Sequence, residues 1–256
     1  MSAMGREQLE AGEKRSLAIS ANRAVYWLVR HWIVVFALLA GLYVGLPWLA
    51  PVFMQLGWTG AGKTLYALYS TQCHQLPQRS FFLFGPQVMY SLDQIQALVG
   101  ATNNPLVLRQ FIGNAEMGWK VAWSDRMVAM YSGTLLLGLL YWPLRRRIRP
   151  LPWWGFALLL LPMGVDGLTH MVSDLAGLGQ GFRDSNAWLA VLTGNALPAT
   201  FYAGDALGSF NCWMRLISGA LFALGVVWMA FPYLDRAMTD SAAQIEAKFS
   251  HARLRL

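Results

Sequence analysis

The chain has 256 residues, 56% apolar and only 13% charged, with a formal net charge of +7. A soluble domain carries about 25% charged residues, so this composition cannot supply a polar coat and points to a membrane protein. The basic residues lie beside apolar runs, as the positive-inside rule requires, and no zinc-finger spacing, phosphate loop or dinucleotide fingerprint is present; nucleic acid is excluded as the partner. Two cysteines are too few for a disulfide scaffold.

In chain order, residues 1–25 form a polar segment. Glu7, Glu10, Lys14 and Arg15 stand at spacings that allow helix-surface pairs, with fraying as the alternative. The first apolar run begins near Tyr26 and is too long for the core of a cleavable signal peptide, so it reads as a retained signal anchor. It extends to Leu56, and its core from Trp32 to Leu49 is long enough to cross about 30 Å of hydrocarbon. Tyr26, Trp27 and Trp32 mark one interface, Trp48 and Trp58 the other. Pro47 and Pro51 are expected to kink or end this helix. Residues 61–84 fit an interfacial or re-entrant half-helix, because the apolar stretch is short and the Cys-His-Gln-Leu-Pro turn breaks it.

Residues 85–124 read as an external insertion. Ser91 and Gln94 have capping-box spacing for a short amphipathic helix, Gly100 and Asn103-Asn104-Pro105 break the chain, and 105–112 is a second short helix. The second span is Arg126–Leu144, with Gly133 and Gly138 available for close packing. A basic loop with Arg145, Arg146, Arg147 and Arg149 follows. The third span is 153–172. Residues 173–210 form an external loop rich in Gly, Asp, Ser and Asn, with an apolar piece at 187–193. The fourth span is 212–233, and 235–256 is a polar, helical tail. The fold class is therefore all-α: a polytopic membrane protein with four transmembrane helices, a half-helix and short external helices, its membrane domain covering 26–234.

Charge sets the orientation. With the N-terminus inside, the inner segments hold Arg6, Lys14, Arg15, Arg23, Arg30, the four arginines at 145–149, Arg236, Lys248, Arg253 and Arg255, thirteen of the 20 Lys and Arg residues. Four spans bring the C-terminus back to the same side. Cys73, His74, Gln75, Arg79, Asp125, Arg126, Asp166, His170, Asn211 and Arg215 then fall together at the outer ends of the spans. Ionisable groups at such positions are costly and mark a site.

Asp166, His170 and Asp174 recur every four residues and share one helix stripe about 12 Å long. The stripe fits an oriented imidazole or a divalent metal with His170, Asp166 and His74 as ligands; the alternative is a wet helix end with Asp174 in water. Arg215, one turn inside the fourth span, requires a partner, Asp166 or Asp125, or else anchors an anionic ligand. Asn211 shares either role. Asp125 suits a helix N-terminus, whereas Arg126 there calls for a specific partner. Cys73 and His74 are sequence neighbours and rarely meet as nucleophile and base. Cys73 and Cys212 pair in an oxidising compartment or stay as buried thiols. His31 is an interfacial residue, and no cofactor follows from the residues.

The run Cys-His-Gln-Leu-Pro-Gln-Arg-Ser-Phe-Phe-Leu-Phe-Gly at 73–85 resembles the signature of a prokaryotic membrane-protein family catalogued as a domain of unknown function. That family carries CHQ…RSF, CxRCTG, DGxxQ and NxxxRxx[ST]G motifs. Ser124-Asp125-Arg126-Met127 stands where CxRC would, Asp166 to His170 matches DGxxQ with His for Gln, and Asn211 to Gly219 matches the last motif; the resemblance covers roughly 60–230. Lacking the CxxC cysteines, this chain does not inherit a thiol-pair or zinc role. The resemblance implies no activity and a bacterial cytoplasmic-membrane location.

Three functions are open: a binding or accessory subunit whose outer pocket holds a lipid headgroup, a small anion or a loop of another membrane protein; a membrane enzyme using Asp166 and His170; and a small transporter, for which no inverted repeat is visible.

Overall fold

The computed structural model describes residues 3–254, with side chains from residue 13 onward. The expected pairing of Glu7 and Glu10 lies outside the described side chains. Helix α1 (Ala3–Arg30) covers the segment for which the sequence left fraying open. It ends at His31, whose ring stacks on Trp27 at 4.9 Å and whose Nδ1 donates to the Trp27 carbonyl at 2.9 Å. The first span, α2 (Trp32–Gln55), is thus a separate helix rather than a run starting at Tyr26.

Neither proline ends α2; both lie inside it, buried. Pro47 has no N–H, so the Tyr43 carbonyl one turn back loses its helical donor. The Tyr69 hydroxyl donates to that carbonyl instead, at 2.8 Å. Tyr69 closes α3 (Thr59–Tyr69), an 11-residue helix too short to cross the bilayer at 1.5 Å per residue. After it come a 3-10 turn, Pro77–Arg79, and strand β1 (Ser80–Leu83).

Helix α4 (Leu92–Val99) opens with the expected capping box: Gln94 N–H donates to Ser91 Oγ, and Ser91 N–H to Gln94 Oε1. Helix α5 (Pro105–Leu108) is one turn, shorter than the 105–112 expected. Residues 113–124 then pair rather than coil. Strands β2 (Gly113–Asn114) and β3 (Gly118–Ser124) join β1 in a small antiparallel sheet ordered β1-β3-β2. Val121, Ala122 and Trp123 are all fully buried. A strand covered on both faces loses the alternating pattern that identifies strands in sequence.

Strand β3 runs directly into α6 (Asp125–Leu144), so the sheet fixes where Asp125 enters the bundle. Helix α7 (Trp153–Asp174) follows, then short helices α8 (Phe182–Ser185), α9 (Ala187–Leu192) and α10 (Ala199–Tyr202). Helix α11 (Phe210–His251) carries both the fourth span and the expected tail as one 42-residue helix. Beyond the span, its buried Ala242, Ile245 and Phe249 lie on the side toward α1, where Tyr26 donates to Glu246 at 2.7 Å. Pro232 repeats the device of Pro47: the Trp228 carbonyl it frees accepts the Leu151 N–H at 3.3 Å.

Helices α2, α6, α7 and α11 are long and apolar enough to cross a membrane. Leu38, Leu39 and Leu42 on α2 and Leu136 and Leu140 on α6 are 59–67% exposed, so they meet no protein and need an apolar solvent. The protein is an all-α polytopic membrane protein with a small sheet at one end.

Small residues let α6 and α11 approach closely. A Cβ on Gly219 would stand 2.9 Å from the Arg126 carbonyl and 3.0 Å from Ala129 Cβ. Gly133 meets Ala223 of α11 in the same way. Gly219→Val should therefore push α11 away from α6 and lower unfolding free energy by about 1–3 kcal/mol, read by denaturant titration in detergent. An unchanged midpoint would show that the helices do not depend on this approach.

Strand β3 also contains a buried cation. Lys120 is fully buried and donates to the carbonyls of Gln75 and Arg109, both at 2.7 Å. Burial pushes its amine down to about 7 from 10.5; the neighbouring Cys73 thiol opposes this and Arg109 adds to it. The folded chain thus binds this proton less tightly than the unfolded chain does. Stability should rise as pH climbs from about 7 toward 10.5, and Lys120→Met should flatten that rise in unfolding titrations across the interval.

Candidate functional site

The site begins with Arg215, one turn inside α11 and only 2% exposed. A guanidinium there must find carboxylates. Its Nε donates to both oxygens of Asp125 at 2.8 and 2.9 Å, and its Nη1 to Asp205 at 2.5 Å. Asp125 is reachable because Gly219, one turn further along α11, lets that helix rest on the Arg126 carbonyl. The partner expected besides Asp125 was Asp166; the structure corrects this to Asp205. Both Asp166 oxygens are already taken, by Arg126 Nη2 and Arg183 Nη2, each at 2.7 Å.

Asp205 carries the chain of charges outward. It accepts Arg79 Nε at 2.8 Å, and Arg79 clamps Asp174 through two bonds of 2.7 and 2.8 Å. Asp174 is therefore an ion-pair partner, not a carboxylate left to water. Two alternating series result: Asp174–Arg79–Asp205–Arg215–Asp125 and Arg126–Asp166–Arg183. Four aspartates oppose four arginines, so the formal charge sums to zero. Burial alone would raise the Asp205 carboxyl, but Arg79 and Arg215 outweigh it and hold the group well below the usual carboxylate range. Arg79 likewise is penalised by burial yet held above its ordinary range by Asp205 and Asp174.

His170 joins the two series. Its Nδ1 lies 3.0 Å from the Asp166 carbonyl and 3.4 Å from Asp166 Oδ1. Its Nε2 lies 3.4 Å from Arg215 Nη1 and 3.8 Å from Asp205 Oδ1.

Loop 175–209 supplies partners that sequence reasoning missed. Arg183 enters from α8, which sits against the end of α7. A Cβ on Gly181 would fall 2.0 Å from Ser173 Oγ, so only glycine permits this contact. The same Ser173 hydroxyl accepts the Arg183 N–H at 3.0 Å. Arg183 Nε donates to Asn211, and Asn211 donates to the Arg183 and Gly204 carbonyls at 2.7 and 2.9 Å. Asn186, buried with φ of 42°, donates to the Arg183 and Tyr202 carbonyls. Arg183 is the single basic residue between Arg149 and Arg215; that isolation was its only signal. Asp205 and Asn186 had none, since Asp and Asn are ordinary loop residues.

The remaining sequence-predicted residues stand beside this network. A cleft of about 610 Å³ is lined by Cys73, His74, Arg79, Arg126, His170 and Arg215, among others. Cys73 is nearly buried on its wall, and its Sγ accepts the Gln75 N–H at 3.4 Å. His74 is exposed. Gln75 turns away, donating to the Tyr66 carbonyl at 2.9 Å. Its φ of 52° is unusual for a non-glycine residue; the Tyr66 and Lys120 bonds hold the turn in place. Asn211 positions the loop rather than facing the cleft. Asp125 lies fully buried beneath Arg215.

Cys73 and Cys212 are free thiols, which decides against the disulfide alternative; Cys212 lies 3.9 Å from Met89 Sδ. Among the described residues no three His, Cys, Asp or Glu side chains are grouped to hold a metal ion. Arg126 makes one ionic contact, through Nη2, while its Nε is buried without a partner.

Removing one member of a buried ion pair strands the other charge. Asp125→Asn or Arg215→Gln should each cost about 3–5 kcal/mol of stability. The double substitution should cost clearly less than their sum. Chemical unfolding of the four proteins in one detergent measures this; strict additivity would mean the two side chains do not support each other.

Residues 111–229 match a family described as a predicted membrane protein, DUF2085. The chain is also 29% identical over 154 residues to an uncharacterised protein of Methanocaldococcus jannaschii, covering 57% of this chain and 72% of that one. No solved structure matches. The family match takes in Asp125, Arg126, Asp166, His170, Arg183, Asp205 and Arg215, and begins after the 73–85 run. Both similarities are to membrane or uncharacterised proteins and carry no activity.

Proposed function

We propose that this is a binding or accessory membrane protein whose cleft beside the charge network holds a small anionic ligand at the extracytoplasmic face. The observation that supports it is Arg126. Every other arginine of the network is engaged by carboxylates or carbonyls on several sides. Arg126 stands on the cleft wall, bonded to Asp166 through Nη2 alone, with a buried Nε that has no partner. A guanidinium offers five donors in a rigid fork that suits carboxylate or phosphate oxygens. An anion in the cleft would accept from the guanidinium donors that reach it, in a cleft that the exposed His74 also lines.

Binding is favoured over acid–base chemistry because each Asp166 oxygen is engaged by an arginine, which holds this carboxylate ionised as a counter-ion. One observation favours an enzyme of another kind: Cys73 Sγ lies on the cleft wall, receiving a backbone N–H and close to the Lys120 ammonium. Transport has no such support. The orientation follows from the basic residues, which put the network on the side opposite the 145–149 loop. On this reading residues 1–25 and 235–256 are cytoplasmic, and 85–124 and 173–210 external.

Mass spectrometry of the protein purified in mild detergent should detect an acidic small molecule near one copy per chain. Arg126→Gln should reduce its occupancy at least tenfold, with the unfolding midpoint lowered less than in Arg215→Gln because Asp166 keeps Arg183. His74→Cys in intact cells should react with a membrane-impermeant thiol reagent. An empty wild-type cleft, or occupancy untouched by Arg126→Gln, would sink the binding reading. Labelling only after permeabilisation would sink the orientation. A product formed from the ligand by wild type but not by Cys73→Ser would favour the enzyme.

A further inference from the structure

The opposite end of the bundle holds a second cleft that the charge network does not use. It has a volume of about 640 Å³ and lies between α6, the segment 147–152 and α11. Its wall is apolar, formed by Leu137, Leu140, Leu224 and Val227, and its mouth carries Arg147 and Arg149. Leu140 is 59% exposed, so the groove opens toward the lipid side of the bundle rather than into a closed core.

The mouth is held in a fixed position. The segment 145–152 is tied to α11 at two points on one residue: Trp228 Nε1 donates to the Arg149 carbonyl at 3.1 Å, and the Trp228 carbonyl, freed by Pro232, accepts the Leu151 N–H. These bonds hold the basic loop against the groove.

Charge distinguishes this end from the other. Arg145 rests on Trp142 and lies 3.9 Å from Asp235. Among the described residues, no carboxylate is paired with Arg146, Arg147 or Arg149. Residues 127–165 contain no Asp or Glu. Each arginine of the network has an aspartate; among the described residues Arg146, Arg147 and Arg149 have none. Trp153 and Trp154 are 76% and 57% exposed at the same level, where indole side chains mark the headgroup region. Basic pockets between transmembrane helices at that depth recognise anionic headgroups.

We propose that this groove is a binding site for an anionic phospholipid. Its phosphate lies between Arg147 and Arg149, and one acyl chain runs along Leu137, Leu140, Leu224 and Val227. The apolar wall selects a lipid over free phosphate, and the uncompensated arginines select an anionic headgroup over a zwitterionic one. This site is separate from the network cleft and stands or falls independently of it.

Native mass spectrometry tests the proposal. The full chain is delipidated in detergent and offered equimolar phosphatidylglycerol and phosphatidylcholine. Wild type should retain phosphatidylglycerol at least tenfold over phosphatidylcholine, and millimolar inorganic phosphate should not displace it. Arg147→Ala/Arg149→Ala, at exposed positions with no structural partner, should erase that preference. Leu140→Trp, which fills the groove while leaving the arginines in place, should reduce retention of both lipids. Equal retention of the two lipids by wild type would overturn the proposal. So would a preference unchanged in the arginine double variant, or displacement by free phosphate.

Discussion

Arg215 is the constraint around which the rest is arranged. A guanidinium inside an apolar helix is tolerated only if the protein brings carboxylates to it. It needs Asp125 at the start of α6 and Asp205 from a loop, 90 and 10 residues away in sequence. Asp125 is placed by β3, which ends at Ser124, and β3 is placed by its pairing with β1. Asp205 in turn needs Arg79, which follows the Cys73–Gln75 turn. One buried charge thereby ties together the sheet, α6, α11, the long loop and the segment after α3.

A buried ion pair is weak evidence for stability in itself, because desolvation offsets attraction. Its better-attested role is to set register. Here the alternation of four acids and four bases leaves few other ways to dock the loops: sliding α11 by one turn would put Arg215 against apolar side chains and strand Asp125. The glycines enforce the same register sterically, since Gly219 and Gly133 mark where α6 and α11 touch. Electrostatics and packing specify the same alignment from different atoms, the agreement between levels that gives a sequence one structure.

The spans were legible in the sequence because length and apolarity determine them. So were the capping box at Ser91 and the convergence of Asp125, Arg126, Asp166, His170 and Arg215 on one end of the bundle. The sheet was not legible: a strand buried on both sides, such as 121–123, shows no alternation. Pro47 and Pro51 left open whether the first span bends or stops, because sequence does not reveal that Tyr69 will donate to the carbonyl that Pro47 frees. Arg183 and Asp205 were missed because a loop residue's partner depends on the loop's path. The close contact of Gly181 with Ser173 and several carbonyl bonds fix that path, and none of them has a pattern in sequence.

The two ends of the bundle apply opposite electrostatic rules to the same residue type. Where arginines face the interior, at Arg79, Arg126, Arg183 and Arg215, each is ion-paired with an aspartate of the same chain, and the network closes to neutrality. Where arginines face the headgroup level, at 146, 147 and 149, none is supplied from the described chain. An interior charge must be neutralised by the protein because hydrocarbon offers nothing else. A charge at the interface can be left to water and anionic lipid. The aspartates follow the same logic: Asp125, Asp166, Asp174 and Asp205 are all spent on the buried end. The most weakly matched arginine of the network, Arg126, also lines its cleft. An unused guanidinium donor at an otherwise closed network is the feature by which a ligand site differs from a structural lock.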